Sequence, residues 1–272
     1  MSKLPPRRDW AWIAHSGPHQ IIVACDNDGV LSPFVDDPLA ARPLPEAVAA
    51  LRRLVAVGVR VAIVSGRRAE YLEDRYGPSA ESRMTYIGMA GAEIISPSYS
   101  WTAPLAREMV PAIRKLVERA SAILAPKGIA IEDKVVSLVL HHRTAPELIP
   151  LALSFAAESA IAYPNLTVSH NTAVTEIMPD FKIDKGIALM ELIRRVGGIT
   201  SVIYLGDDPA NDEVVADTLH GQDDVSSVIV TVAHGQLEQR SLVAKSDFTV
   251  PDAAGAARVL NEVADHLELT SS

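Results

Sequence analysis

Apolar positions along the chain follow two alternating spacings, and the alternation predicts strands and helices in turn. Short unbroken apolar runs are typical of strands buried on both faces, whereas apolar residues three and four positions apart are typical of helices. Over the first ninety or so residues these patterns predict strand, helix, strand, helix and strand, at 21–25, 44–58, 59–66, 69–77 and 85–91. This order is typical of an α/β fold with a doubly wound, Rossmann-like parallel sheet.

The middle of the chain has a different order of elements. The spacing there predicts helix, strand, strand, helix, strand and strand, at 104–125, 129–134, 136–143, 146–162, 166–170 and 173–179. Strands joined by tight turns favour an antiparallel sheet with helices on one face. We therefore expect a separate α+β cap domain at 105–178, inserted into the first fold.

The α/β pattern resumes after this insertion. Helices and strands are predicted in alternation, at 184–196, 201–207, 209–219, 226–233, 247–250 and 252–267. We expect 1–104 and 179–272 to form one core domain, with loose ends at about 1–18 and 268–272.

Composition and charge narrow the class of protein. The 272 residues carry a net charge of −9, so repulsion by phosphate backbones argues against a nucleic-acid partner. No apolar run approaches the ~18 residues of a membrane span, and no secretory signal follows the N-terminus, so a cytoplasmic location is expected. The one cysteine, Cys25, excludes an internal disulfide and is interpreted as a core residue.

Polar residues cluster where predicted strands end or helices begin. The clusters are Asp26 with Asp28, Ser65-Gly66-Arg67, Lys185, and Gly206-Asp207-Asp208. Each cluster alone fits a turn or a helix cap, with Asp184 and Asp208 as N-caps and Pro209 at a first helical position. Because ligands of doubly wound sheets bind at the carboxyl ends of the strands, the four clusters together predict one site.

Phosphoryl transfer through an aspartate requires these residue types. Asp26 is the candidate nucleophile, and Asp28 is the candidate general acid and base two residues later. Both the nucleophile and a phosphate are anionic, so a Mg²⁺ ion is expected between them. Its candidate ligands are Asp26, Asp207, Asp208 and the backbone carbonyl of Asp28. The sequence leaves open which of Asp208, Asn211 and Asp212 completes the site.

The remaining clusters supply candidate phosphate ligands. Lys185 and the Ser65 hydroxyl are expected to hold phosphate oxygens, together with Gly66 and Arg67.

These motifs resemble, in the same order, the haloacid-dehalogenase superfamily of aspartate phosphatases. "DNDGVL" is similar to the first motif, "IVSG" to the second, Lys185 to the third and "GDDPAND" to the fourth. The resemblance covers nearly the whole chain, and the inserted module lies where type-II caps of this superfamily occur. It implies a phosphoric monoester hydrolase.

A narrower resemblance is to trehalose-6-phosphate phosphatases, carried by "DGVLSPFVDDPLAARPLPEAVAALRRL", "EDKVVSLVLHHR" and "EIMPDFKIDKGIAL". It implies Mg²⁺-dependent hydrolysis of a sugar phosphate, most directly trehalose 6-phosphate. It also implies that Glu132, Lys134 and Glu176 hold sugar hydroxyls. His141 and Arg143 match a cap strand of the family, and a polar strand face explains them equally well.

Four departures from the family pattern keep other functions open. They are Val30 for a threonine, Asn27 for an aromatic residue, Ala90 for a histidine, and one extra residue between Asp207 and Asp212. Changes near the substrate favour a second hypothesis, a phosphatase for another sugar or pseudo-sugar phosphate. A third hypothesis, a non-catalytic sugar-phosphate-binding module, leaves the nucleophile without a use.

Overall fold

The computed structural model describes residues 10, 13, 16–35, 40–170, 174–235 and 240–270. The chain divides into two compact units, one formed by Met1–Trp101 with Ile183–Ser272 and the other by Thr102–Lys182. No helix in the described part of the chain is both long and apolar enough to cross a membrane.

The described residues contain twelve strands and nine α-helices. The strands are β1 Ile21–Cys25, β2 Arg60–Val64, β3 Thr85–Gly88, β4 Glu93–Ile95, β5 Ser100–Thr102, β6 Ala130–Asp133, β7 Leu138–His141, β8 Leu166–His170, β9 Val174–Pro179, β10 Ser201–Gly206, β11 Ser226–Val232 and β12 Phe248–Val250. The helices are α1 Pro45–Ala56, α2 Ala69–Tyr76, α3 Ser79–Ser82, α4 Pro104–Ile123, α5 Ile149–Ala162, α6 Lys185–Val196, α7 Pro209–His220, α8 Arg240–Ala244 and α9 Ala253–Thr270.

The first unit is built on an eight-stranded sheet in the order β12-β11-β10-β1-β2-β3-β4-β5. Strands β12 to β3 in this order pair in parallel, and β4 pairs antiparallel with β3. After β1 the chain builds outward through β2 and β3, and β10 to β12 build outward from the other side of β1. The order therefore reverses between β1 and β10, which is where sheets of this kind bind ligands.

Apolar side chains cover both faces of this sheet. In β1, Ile21, Val23 and Cys25 join the core under α1, α2 and α9, whereas Ile22 and Ala24 join the core under α6 and α7. A strand buried on both faces has no polar alternation, which explains the unbroken run 21–25. Cys25 is fully buried in this core, as expected.

The second unit is a four-stranded antiparallel sheet in the order β6-β7-β9-β8. Leu138, Leu140 and Ile177 on one face pack against α4 and α5, through residues such as Ile113 and Phe155. Side chains alternate along a strand, so Glu176, next to Ile177, lies on the opposite face.

The prediction of a doubly wound α/β core with an inserted α+β module is confirmed. The sequence reading missed β4, β5 and the short helices α3 and α8, which are too short to show a period. The prediction of a loose end from 268 is wrong up to Thr270, because α9 continues that far. In the predicted loose N-terminus Trp10 and Ile13 are buried, and the rest of that segment up to residue 15 lies outside the described residues.

Candidate active site

The carboxyl ends of β1 and β10 place two aspartates side by side. Cys25 is paired with Leu205 in the parallel ladder, and the backbone N–H of Asp26 donates to the Leu205 carbonyl at 2.9 Å. Asp26 and Asp207 therefore follow neighbouring strand ends. Both belong to a cavity of about 340 Å³ whose lining is Asp26, Asp28, Phe34, Ser65, Gly66, Lys185, Asp207, Asp208, Pro209 and Asn211.

Asp26 is almost fully buried and is fixed by hydrogen bonds to both of its oxygens. Its Oδ2 accepts from Lys185 Nζ at 2.6 Å, and its Oδ1 accepts from the Asn27 backbone N–H at 2.6 Å. Burial raises the pKa of Asp26 well above its usual value, a shift that Lys185 opposes and that Asp212 and Asp207 reinforce. A cation beside Asp26 would favour its ionised form.

Asp212 connects the third and fourth motifs. Its Oδ1 accepts from Lys185 Nζ at 2.6 Å and from the Tyr204 hydroxyl at 2.7 Å. Its Oδ2 accepts from the backbone N–H groups of Asp207 and Asp208 at 2.8 and 3.0 Å. Four donors match the roughly four lone-pair positions of a carboxylate, so Asp212 serves to position Lys185 and the loop after β10.

Lys185 is buried between these two carboxylates at the start of α6. Burial alone would lower the pKa of Lys185. The charges of Asp212 and Asp26 outweigh this effect and raise the pKa above its usual value. Lys185 therefore stays protonated and offsets part of the negative charge of the cluster.

A cluster of three carboxylates fits a divalent cation. Oxygens of Asp26, Asp207 and Asp212 lie within 4.8 Å of one another. Asp26 accepts two hydrogen bonds and keeps lone pairs on both oxygens, whereas Asp212 is saturated, so Asp26 and Asp207 are the better ligands. Burial raises the pKa of Asp207 against the effect of His234, whose Nε2 lies 3.4 Å from Asp207 Oδ2. Hard carboxylate oxygens of this kind bind cations such as Mg²⁺ and Ca²⁺.

Gly29 lies in the loop after β1, directly after Asp28, and the structure leaves no room there for a side chain. Its φ is +78°, a left-handed conformation, and a Cβ there would lie 2.1 Å from Asp207 Oδ2. The glycine of "DNDG" thus lets the first loop approach the candidate metal ligand closely.

The second motif contributes a hydroxyl and an ion pair. Ser65 is buried and lines the cavity, and its Oγ accepts from the Arg67 backbone N–H at 3.2 Å. The Arg67 guanidinium binds Asp28 through Nε at 2.9 Å and Nη2 at 3.2 Å. Arg67 is not among the cavity-lining residues, so it acts here on Asp28 instead of on the cavity. At Gly66 a Cβ would meet no atom within 4 Å.

The two predicted N-caps are confirmed, and they coexist with the site. Asp184 Oδ1 accepts from the Ile187 N–H at 2.8 Å, at the start of the helix that carries Lys185. Asp208 Oδ1 accepts from the Ala210 N–H at 2.9 Å, with Pro209 at the first helical position of α7. Asp208 lines the cavity but lies outside the carboxylate cluster found among the described residues.

The sequence reading missed Tyr204. This tyrosine is fully buried in β10 and binds Asp212, as described above. A buried tyrosine hydroxyl within an apolar strand needs a hydrogen-bond partner. The position of Tyr204 in such a strand could therefore have indicated a polar partner nearby.

The predicted sugar-binding residues lie in the second unit, on the polar face of its sheet. Lys134 Nζ and Ser137 Oγ both donate to Glu176 Oε1, at 3.2 and 2.6 Å. Glu132 Oε2 lies 2.8 Å from His141 Nε2. Arg143 follows β7 and is exposed.

Two of the residues that differ from the family pattern, Asn27 and Val30, face away from the cavity. Asn27 is buried, and its Oδ1 accepts from the Tyr76 hydroxyl at 2.7 Å. Val30 is fully buried in the core under α1. Ala90 adopts a left-handed φ of 52° and donates its backbone N–H to the Ser65 carbonyl at 2.9 Å.

Comparisons with known proteins identify relatives of this chain. The family model described as trehalose-phosphatase matches residues 24–252. The trehalose-phosphate phosphatase of Mycobacterium avium (strain 104) is 34% identical over 249 residues, which are 89% of this chain and 62% of the relative. This chain therefore spans less than two thirds of the length of that relative.

Solved structures share the fold. The crystal structure of a trehalose-6-phosphate phosphatase related protein has a TM-score of 0.73 at 17% identity, covering 92% of this chain and 100% of its own. A haloacid dehalogenase-like hydrolase from Bacteroides thetaiotaomicron has a TM-score of 0.64 at 18% identity, covering 89% and 98%. With the family match over most of its length, this chain belongs to the trehalose-phosphatase family, on a haloacid dehalogenase-like fold.

Proposed function

We propose that this protein is a Mg²⁺-dependent phosphatase that hydrolyses trehalose 6-phosphate to trehalose and phosphate. One observation carries the proposal: in a chain of this family, Asp26, Lys185 and Asp207 meet in one cavity at the ends of β1 and β10. A buried carboxylate beside an ammonium and a second carboxylate fits attack on a phosphate ester.

The family implies a divalent cation, and we assign it as Mg²⁺. Asp26 and Asp207 would hold it with carboxylate oxygens, and the Asp28 backbone carbonyl is a further candidate ligand. When bound, Mg²⁺ neutralises charge between the carboxylates and the phosphate and orients the phosphate. Asp208 acts as a helix cap beside the cavity, which makes it a weaker candidate ligand.

In the first step Asp26 attacks the phosphorus of the ester. An Oδ–P bond forms, the bond from phosphorus to the sugar oxygen breaks, and that oxygen takes a proton from the Asp28 carboxyl group. Asp28 is ion-paired with Arg67 in this structure, so Arg67 would hold the Asp28 carboxylate that forms when the proton has left. The products of this step are trehalose and a phosphorylated Asp26.

In the second step Asp28 accepts a proton from water. The water oxygen attacks the phosphorus, the bond from phosphorus to Asp26 breaks, and phosphate leaves. Asp26 returns to a carboxylate, so the two steps together consume one water and no other co-reactant.

Phosphate oxygens need donors throughout both steps. The Lys185 ammonium and the Ser65 hydroxyl line the cavity, and Gly66 leaves open space beside them. We assign the phosphate to these three residues. The Arg67 guanidinium pairs with Asp28 and does not line the cavity, which favours a role in positioning Asp28 over direct contact with the phosphate.

The unit Thr102–Lys182 is proposed as the specificity domain. Its polar sheet face offers Glu132, Lys134 and Glu176, which are suited to binding sugar hydroxyls. The cap limits predicted from the sequence, 105–178, fall inside this unit. Substrate binding by Arg143 stays a prediction. A cytoplasmic location also stays a prediction.

The proposal is tested by measuring phosphate release from a panel of sugar phosphates, with Mg²⁺ and with EDTA. We expect the highest kcat/KM for trehalose 6-phosphate and loss of turnover in EDTA. A higher kcat/KM for another sugar phosphate would assign the enzyme to that substrate. The absence of metal-dependent turnover across the panel would contradict the proposal.

A further inference from the structure

One aromatic side chain lies among the polar residues of the cavity. The lining residues are mainly carboxylates, a lysine, a serine and an asparagine, which suit a phosphate and a cation. Phe34, from the loop after β1, also lines this cavity, and Pro209 is the other apolar lining residue with a large side chain. Phosphate chemistry gives no reason for a phenyl ring there.

Phe34 contributes little to the folding core. It is 60% exposed, whereas Leu31 in the same loop is fully buried. Covering exposed aromatic surface removes apolar area from water, so a ligand that packs on the ring gains binding free energy. An occupant of the cavity is therefore the natural partner of the ring.

The ring is nevertheless held in place. It packs against the His234 ring with centroids 4.9 Å apart and an interplanar angle of 54°. Its Cζ also lies close to the Gly29 turn, since a Cβ on Gly29 would be 2.8 Å from it. The same two residues contact Asp207, so the orientation of Phe34 is tied to the candidate metal ligand.

We propose that Phe34 is a stacking surface for the pyranose ring of the ester, and so a specificity-determining residue. The inference rests on the proposed function for its substrate class. One face of a pyranose presents C–H groups with partial positive charge, and the face of an aromatic ring is negative. Phe34 thus binds the sugar next to the phosphate and disfavours esters whose leaving group is acyclic.

Ligand binding to a variant that cannot hydrolyse the ester tests this inference. In an Asp26→Asn background with saturating Mg²⁺, calorimetry gives the Kd of trehalose 6-phosphate and of inorganic phosphate. The ratio of these two Kd values isolates the contribution of the sugar. The variants are Phe34→Leu, which keeps apolar area without a π face, and Phe34→Tyr, which keeps the face.

We expect Phe34→Leu to weaken binding of the sugar ester relative to phosphate by roughly three- to tenfold, and Phe34→Tyr to stay within about twofold. Val35→Ala is the matched control: this neighbour is also exposed but does not line the cavity, and its ratio should equal that of the parent. An equal ratio in Phe34→Leu and the parent would overturn the inference, as would no binding of the sugar ester to the parent. Phosphate release by the wild type is measured separately, so Phe34-dependent binding without any turnover would contradict the proposed function alone.

Discussion

At the scale of single residues, the site depends on short distances between its charged groups. Lys185 lies 2.6 Å from carboxylate oxygens of both Asp26 and Asp212, so one ammonium is shared by two anions. The sequence predicted Asp26, Lys185 and Asp207 from their positions next to strands and helices. The role of Asp212 could not be predicted, because it depends on side-chain orientation around the first turn of α7.

Alanine substitutions at Gly29 and Gly66 test whether Gly29 controls the position of Asp207, with Gly66 as the control. Gly29→Ala should weaken Mg²⁺ affinity at least tenfold, because its Cβ would displace the Asp207 carboxylate. Gly66→Ala meets no protein atom and should leave Mg²⁺ affinity within about twofold. Calorimetric titration with Mg²⁺ measures both variants. Equal Mg²⁺ affinity in the two variants would show that Gly29 does not control Asp207.

Tyr204 should contribute to stability through Asp212. Tyr204→Phe removes the hydroxyl donor and leaves a buried carboxylate with one partner fewer, so the free energy of unfolding should fall by about 1–2 kcal/mol. Urea denaturation measures this change. Tyr71→Phe is the control, since the buried Tyr71 hydroxyl has no hydrogen-bond partner in the described structure and its removal should cost little. A larger loss in Tyr71→Phe than in Tyr204→Phe would refute the account.

At the scale of elements, the strands that bury both faces were the easiest to predict. The run 21–25 matches β1 in full, because continuous burial leaves a continuous apolar pattern. Strands β4 and β5 have three residues each and carry no readable period. Their position is set by pairing at the sheet edge, which is tertiary information.

In the second unit, a buried histidine directly after β7, His142, should make stability pH-dependent. Burial lowers the pKa of His142 from 6.5, with His170 and His141 adding to the effect, and its Nε2 lies 3.1 Å from Thr175 Oγ1. A lowered folded-state pKa means that the unfolded chain binds the proton more tightly. The stabilisation is therefore complete above pH 6.5 and is lost as pH falls through the folded-state pKa.

His142→Asn should consequently show a smaller fall in Tm between pH 7.5 and pH 5 than the wild type, to about half of it or less. Thermal denaturation by circular dichroism measures the fall. His220→Gln, at an exposed histidine on α7, should keep the fall of the wild type. An unchanged fall in His142→Asn would show that this histidine does not govern the pH dependence.

At the scale of the whole molecule, the chain collects negative charge where the sheet order reverses. The net charge of −9 includes a carboxylate cluster that one lysine only partly offsets. Topology brings these residues together from distant parts of the chain, 26, 185 and 207. The sequence could predict this convergence from the parallel-sheet rule, but not which side chains face the cavity.

A bound cation should therefore stabilise the protein. Adding Mg²⁺ at one hundred times its Kd should raise the free energy of unfolding by about 2.7 kcal/mol, because the folded cluster binds it and the unfolded chain does not. Thermal denaturation with Mg²⁺ and with EDTA measures the shift in Tm. In Asp207→Asn the shift should largely disappear. A Tm that is independent of Mg²⁺ in the wild type would contradict a metal site at this cluster.

In the proposed mechanism, Asp26 carries the phosphoryl group during turnover. The most direct measurement mixes the protein with Mg²⁺ and trehalose 6-phosphate radiolabelled in its phosphate, quenches with acid within milliseconds, and maps the label by proteolysis. We expect label on the peptide that contains Asp26 and none in Asp26→Asn, which should also lose turnover while keeping its fold. Phosphate release without protein-bound label, together with turnover by Asp26→Asn, would contradict this mechanism.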